Sequence, residues 1–560
     1  HGSHIDDFAW SRDGKTLAFT APVPDGKSGK ERKDKYGDYE VVESDFEQTQ
    51  LWTVDVGAAE RDATPVRALQ ITKDPTRSVS DFDWSPDSTR IAFAATPSPL
   101  LPSRSDADIY VVDVARPDGV RVVVALPGPD DSPKFSPDGR ELAFQTALGE
   151  AYHYYANSHV ATVRLADVEA KPARAAADVR DRTAAFDEEA SPLAWGPDGI
   201  YFTALHRTDS HLFRIPATGA IARVSGPDHL ALNGLSFTRD FKSAAFTTGD
   251  ERHLGEIAVS PLDRFQPKVL TDMTAQVAGW TLGSTELVRW TSSDGAEIEG
   301  VLHKPADFQA GKRYPLLVVI HGGPTGISRP LLGPGNRYYP IEIFLSKGAI
   351  VLEPNYRGSA GYGAAFRALN VRNLGVGDMS DVMSGVDALV TRGLADPDRL
   401  GVMGWSQGGY ISAFLATNTD RFKAISVGAG ISDWTTYYVN TDITPFTRQY
   451  LHATPWDDPE IYARTSPITN IKKAKTPTLI QHGENDRRVP IPNGYELFRG
   501  LRDQGVPAKM IVYAGFGHGI TKPRSNRAVL QHNLDWFAHY VWGEPISPDS
   551  PLRGRGDVGP

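Results

Sequence analysis

The stretch DPDRLGVMGWSQGGY, residues 396–410, leads from turn-forming residues into an apolar run and then sets one serine among glycines. Gly404-Trp405-Ser406-Gln407-Gly408 fits G-x-S-x-G, with an apolar segment before it and a helical segment after it. A serine held on such a sharp strand-to-helix turn needs small neighbours, because larger side chains would collide with the adjoining strand and helix. The other reading is a glycine-rich turn that happens to contain serine, so the surrounding sequence has to choose.

Four more apolar runs surround this one: YPLLVVIHGGP (314–324), GAIVLEPNYRGS (348–359), TPTLIQHGENDRRVP (476–490) and AKMIVYAGFGHG (508–519). Helix-length segments at 379–394, 408–419 and 491–504 alternate with them. Strands that are apolar throughout, separated by helices, predict a mostly parallel sheet with helices on both faces. LVRWTSSDGAEIEGVLHKP (287–305) reads as a hairpin turning at Asp294-Gly295 and opens this region.

A serine hydroxyl is a poor nucleophile until a base takes its proton. In this architecture the partners follow the serine as an acid and then a histidine, each at the end of a later strand. Asp486 lies 80 residues after Ser406, just past TLIQ, and His518 follows 32 residues later, past KMIVYAG. His518 is the expected general base, and Asp486 the group that holds its tautomer. His482 and Glu484 are nearby rivals, but His482 precedes the acid and breaks the order. Two donors must meet the developing oxyanion. The backbone N–H of Gln407 is the first, and Gly323 in His321-Gly322-Gly323-Pro324 is the expected second.

The first half repeats itself. DFAWSRDGKTLAFTA (from Asp7), DFDWSPDSTRIAFAA (from Asp81), SPKFSPDGRELAFQT (from Ser132), SPLAWGPDGIYFTAL (from Ser191) and GLSFTRDFKSAAFTT (from Gly234) each read as strand, turn, strand. Their anchor aromatics are Trp10, Trp84, Phe135, Trp195 and Phe237, with Trp280 as a sixth, at spacings of 74, 51, 60, 42 and 43. Several short strands repeating every ~40–50 residues predict a β-propeller. The long first interval reads as an insertion, since DGKSGKERKDKYGDYE (25–40) is a charged, solvated loop. The predicted division is a propeller over 1–284, an α/β-hydrolase domain over 285–545 and a tail over 546–560. The propeller is short enough that upstream sequence is expected to be missing.

Bulk properties bound the partners. The chain has 560 residues, 40% hydrophobic and 23% charged, with a formal net charge of −10. That is an ordinary globular composition, with no basic surface for nucleic acid and no apolar run of membrane length. No cysteine is present, so disulfides, thiolate metal sites and a cysteine nucleophile are excluded. No metal or organic cofactor is called for. The compartment is left open, with the cytoplasm slightly favoured and the periplasm or secretion open if a leader preceded residue 1. Self-association is left open. The Arg-Gly-Asp triplet in RGRGD (553–557) reads as a chance match.

HGGP, NYRGSAGYG (355–363), DPDRLGVMGWSQGGY, HGENDRRVP and GHGI (517–520) together resemble the prolyl oligopeptidase family of serine peptidases, especially its acylaminoacyl-peptidase and dipeptidyl-aminopeptidase-like branch. The resemblance covers the whole α/β region, and the preceding propeller fits it. It implies a serine peptidase acting on short peptides, releasing N-terminal dipeptides or acylated amino acids through an acyl-enzyme, with the propeller restricting entry. An esterase of the same fold and a propeller binding module with a vestigial hydrolase are the alternatives. Some dipeptidyl members hold the substrate amine with paired glutamates. Here only Phe186-Asp187-Glu188-Glu189-Ala190 offers that pattern, and it matches poorly, so an exposed acidic loop is the favoured reading. Arg488 either reaches the substrate carbonyl or braces the Asp486 loop. Trp405, Tyr410, Trp434 and Tyr438 line the side-chain pocket or belong to the core.

Overall fold

The computed structural model describes residues 4–23, 27–61, 66–226, 231–333 and 338–554. Five four-stranded antiparallel sheets form a β-propeller, their first strands being Asp7–Trp10, Ser78–Trp84, Asp130–Phe135, Ser191–Gly196 and Asn233–Phe237. The repeated turn explains why four of the five first hairpins form, Gly196 replacing the hydroxyl residue in the fourth blade. Ser11, Ser85, Ser136 and Thr238 each donate a hydroxyl to the aspartate two residues on, at 2.6–2.8 Å. The same oxygens accept the backbone N–H of Thr16, Arg90, Glu141 and Ser243 across the turn. These local bonds close the hairpin before any long-range contact is needed.

Neighbouring blades are stitched by side chains. Asp83 on the second blade accepts from Arg12 of the first at 2.8 Å and from the Phe135 N–H of the third at 2.9 Å. Trp84 Nε1 donates to the Ala9 carbonyl, and Arg239 of the fifth blade donates to the Arg12 carbonyl of the first. The anchors are not equivalent: Trp84 and Phe135 are buried, whereas Trp10 is half exposed. The expected sixth anchor is corrected. Trp280 lies outside every strand and is 60% exposed, so no blade forms around it. The long first interval holds the helix Lys27–Tyr36 between the second and third strands of blade one.

Asp130, which opens the third blade, is fully buried. Its Oδ2 accepts the Leu126 N–H, and among the described residues its Oδ1 has no partner within hydrogen-bond geometry. Burial, opposed by the Thr146 hydroxyl, pushes its carboxyl up to about 7, against ~3.9 in an unfolded chain. Between those values the folded form holds a proton that the unfolded form has lost, so stability falls as pH rises from ~4 to ~7. Asp130→Asn carries no charge at any pH. It is expected to raise Tm by several degrees at pH 8, with the gain shrinking at pH 5. A gain independent of pH would refute that account.

The second half is built on one eight-stranded sheet. Its strands in chain order are β1 (Ser284–Thr291), β2 (Glu297–Lys304), β3 (Tyr314–Ile320), β4 (Ile350–Asn355), β5 (Ala395–Trp405), β6 (Ala424–Gly428), β7 (Thr478–Gly483) and β8 (Ala508–Tyr513). They are arranged β1-β2-β4-β3-β5-β6-β7-β8. Pairing is antiparallel through β1, β2 and β4, and parallel from there on. β3 is buried at every position, as a central strand covered on both faces must be. One apolar cluster unites Val318, Val402, Tyr410, Trp434 and Ile480, and a second gathers Val319, Met403, Phe344 and Trp536. Residues 546–554 pack back on the domain, with Leu552 buried and its carbonyl bonded to Lys509 Nζ at 2.7 Å. The Arg-Gly-Asp triplet lies outside the described residues. Among the described residues, no helix is long and apolar enough to cross a membrane.

Candidate active site

β5 ends at Trp405, and the helix Gln407–Asn418 starts two residues later, leaving Ser406 alone on the turn. Its backbone sits at φ 62° and ψ −120°, a region that costs a side-chain-bearing residue about 1–3 kcal/mol. Close packing holds it there. A Cβ at Gly408 would run into the Ile320 carbonyl, and one at Gly404 into the Gly408 backbone. The Ser406 N–H donates to the Gly428 carbonyl at 2.9 Å, and Ser406 O accepts the Tyr410 N–H at 2.8 Å to open the helix.

The loop after β3 packs on this turn. A Cβ built on Gly322 would lie 4.0 Å from Ser406 Oγ, so the HGGP backbone passes beside the hydroxyl. Tyr356 OH donates to the His321 carbonyl at 3.1 Å, and the two rings stack at 4.5 Å. Burial pushes the His321 imidazole down to about 4, so it stays neutral. The Gln407 N–H, at the first turn of its helix, also lies beside Ser406. The Gln407 side chain is buried, with Nε2 3.5 Å from Asp378 Oδ2.

Asp486 follows β7 and His518 follows β8. Asp486 Oδ2 accepts His518 Nδ1 at 2.8 Å. Asp486 Oδ1 accepts the N–H groups of Arg488 and Val489 at 2.9 and 3.0 Å. A carboxylate so bonded is fixed in place and fixes the ring, with the hydrogen on His518 Nδ1 and the lone pair on Nε2. Trp405 Nε1 donates to the His518 carbonyl at 2.9 Å, which ties the histidine loop to the residue just before Ser406. Glu484 Oε2 accepts the Gly515 N–H at 2.8 Å and braces that loop from the acid side. Among the described residues, no hydrogen bond joins Ser406 Oγ to His518. In ligand-free sites such bonds are often long and tighten on binding.

The remaining candidates divide. Arg488 is partly exposed, and its Nε donates to Asp442 Oδ1 at 2.9 Å. Trp405 stacks on Tyr338 at 4.1 Å and is nearly buried. Tyr410 and Trp434 are fully buried with their polar ends on the Thr465 carbonyl, so both stand in the core. Tyr438 is also buried and bonds Arg448.

Glu188 is already engaged within the protein, although it shares a cavity wall with Glu189. It is buried at the interface of the two halves, paired with Arg367 of the helix Gly363–Ala368 and accepting the Gly363 N–H. Nothing in the sequence around Arg367 marks this pairing, and sequence reasoning missed it. Glu189 stays exposed and lines, with Ala360 among others, a cavity of about 370 Å³. The Ala360 N–H in turn bonds the Gly326 carbonyl of the HGGP loop at 3.2 Å. Beside it, Tyr154 N–H donates to Gln449 and Tyr155 OH meets His452 Nε2 at 2.7 Å, further joining the propeller to the catalytic half.

Residues 337–543 match the prolyl oligopeptidase family. Dipeptidyl-peptidase 5 of Porphyromonas gingivalis is 25% identical over 572 residues, covering 96% of this chain and 80% of that protein. The acylamino-acid-releasing enzyme of Arabidopsis thaliana is 32% identical over 239 residues, 41% of this chain and 31% of that enzyme. The uncomplexed acylaminoacyl peptidase of Pyrococcus horikoshii superposes with a TM-score of 0.79 at 20% identity, covering 96% of this chain and 82% of that one. The last likeness is one of fold.

Proposed function

We propose, from the premise that this chain belongs to the prolyl oligopeptidase family and is a serine-type peptidase, that it releases dipeptides from the free N-termini of short peptides. Ser406 is the nucleophile, His518 the base that takes its proton and returns it to the leaving amine, and Asp486 the group that holds the imidazole. The N–H groups of Gln407 and Gly323 receive the oxyanion. The observation that carries the reading is the Asp486–His518 bond at two neighbouring strand ends, tied through Trp405 to the serine turn. Water then hydrolyses the acyl-enzyme with the same base.

The choice of a free amine rests on Glu189. With Glu188 neutralised by Arg367, Glu189 is the carboxylate left facing the cavity beside the HGGP loop. A substrate ammonium bound there would pair with the Glu189 carboxylate, and the Arg488 guanidinium would meet a peptide carbonyl. A peptide library offered with free and with acetylated N-termini tests this. Free peptides should lose dipeptides, and Glu189→Gln should raise KM for them by roughly 10- to 100-fold, the worth of one charge-assisted hydrogen bond. Faster release of single acetylated residues would favour the acylaminoacyl reading instead.

A further inference from the structure

We propose that His482 is a positioning residue for peptide hydrolysis: by way of Val489 it fixes the turn that carries Asp486, so that Asp486 Oδ2 meets His518. The inference rests on the assignment of Asp486 and His518 given under Proposed function.

His482 lies near the end of β7, four residues before Asp486, and is fully buried. Its Nε2 stands 2.7 Å from the Val489 carbonyl. A carbonyl can only accept, so Nε2 carries the hydrogen. Val489 passes the constraint on, since its own N–H donates to Asp486 Oδ1. His482 Nε2 is also 3.6 Å from Asp486 Oδ2, the oxygen that holds His518. One N–H therefore faces both the carbonyl that anchors the turn and the carboxylate oxygen that the turn presents.

The other ring nitrogen makes the case for function. With Nε2 protonated, Nδ1 is a bare lone pair, and among the described residues it is buried without a partner. Gly494 presses against it: a Cβ there would lie 2.9 Å away. A buried polar atom left unsatisfied lowers stability, so a site shaped only for packing would not favour an imidazole. Burial also disfavours the charged ring. The groups facing it are Asp486 and His518, with Gly494 and Met510 closing the side of the helix Pro492–Asp503 and of β8. A neutral His482 leaves the Asp486 charge to His518 alone.

The test compares two amides of different reach. The Gln Nε2 falls near the His Nε2 position and can still bond Val489, whereas the Asn amide stops near Nδ1 and cannot. His482→Gln should keep kcat for a free dipeptidyl anilide within about threefold of wild type. His482→Asn should lower kcat by ten- to a hundredfold with KM within threefold, the cost of a small misplacement in a catalytic group. Equal losses in both variants, or full activity in His482→Asn, would overturn the proposal. A ¹⁵N spectrum of the imidazoles in the wild-type protein serves if neither variant folds: His482 should remain the neutral Nε2–H form from pH 6 to 8, and an imidazolium there would overturn it. Ser406→Ala run in parallel separates the two levels. Activity retained in that variant removes the triad itself, while its loss beside an active His482→Asn removes only the role of His482.

Discussion

Ser406→Ala is expected to lower kcat/KM for peptide anilides by about 10⁴- to 10⁶-fold, the range seen when a triad nucleophile is removed and the oxyanion donors remain. The folded protein should hardly notice. Alanine at φ 62° carries the same backbone strain as serine, and among the described residues the Ser406 hydroxyl makes no hydrogen bond to lose. Tm should therefore stay within a few degrees of wild type, which separates loss of chemistry from loss of fold. Ser406→Gly should be equally inactive but slightly more stable, because glycine adopts that backbone freely. Asp486→Asn should cost about 10⁴-fold, since an amide in place of the carboxylate holds the wrong tautomer of His518. Labelling by a fluorophosphonate should vanish in Ser406→Ala. Undiminished hydrolysis by that variant would end the serine mechanism for this chain.

What could be read from the sequence was whatever is written locally. The propeller hairpins declare themselves because Ser-x-Asp turns close with bonds two to five residues apart. The Ser406 turn does so because Gly404 and Gly408 must be glycine for β5, its helix and β3 to approach. Apolar runs such as 314–320 foretold a buried parallel strand because burial on both faces removes any alternation. Contacts between distant segments left no such mark. Arg367 meets Glu188 from 179 residues away, and no period or motif joins them. Trp280 misled for the opposite reason: its spacing fits the repeat, but Gly283 stands where each of the five blade anchors is followed three residues on by an aspartate, and among the described residues no blade forms there. Tyr410 follows the nucleophile motif closely, yet helical rotation turns it away from Ser406 and into the core. A residue's nearness in sequence to a reactive group says little about which way a helix points it.

Arg357→Met is expected to be the most damaging single change to the fold of the catalytic half. The Arg357 guanidinium is 2% exposed and makes a fork to both oxygens of Asp381, at 2.9 and 2.7 Å, while reaching Asp294 at 2.8 and 3.0 Å. Asp381 is completely buried, and its Oδ2 also accepts the Arg357 backbone N–H. Removing the cation strands a carboxylate in the interior, a loss of about 3–5 kcal/mol, or roughly 10 °C in Tm for a domain of this size. The Asp294 side of the network contributes far less. Its carboxyl is drawn down to about 2 by the Arg357 hydrogen bonds, so its share is present above pH ~4 and fades as pH falls toward 2, but it stands in solvent and is screened. The double variant Arg357→Met/Asp381→Leu should recover much of the loss, because no unpaired charge then remains, although the Arg357 N–H loses its acceptor. Catalysis should suffer even where the single variant still folds. Tyr356, adjacent in the chain, holds the His321 carbonyl, and the Arg357 carbonyl itself accepts from Asn370 at 2.8 Å. Loosening that loop moves the HGGP backbone against Ser406, so kcat should fall before KM rises. A double variant no more stable than the single would mean that the ion pair is not what Asp381 depends on.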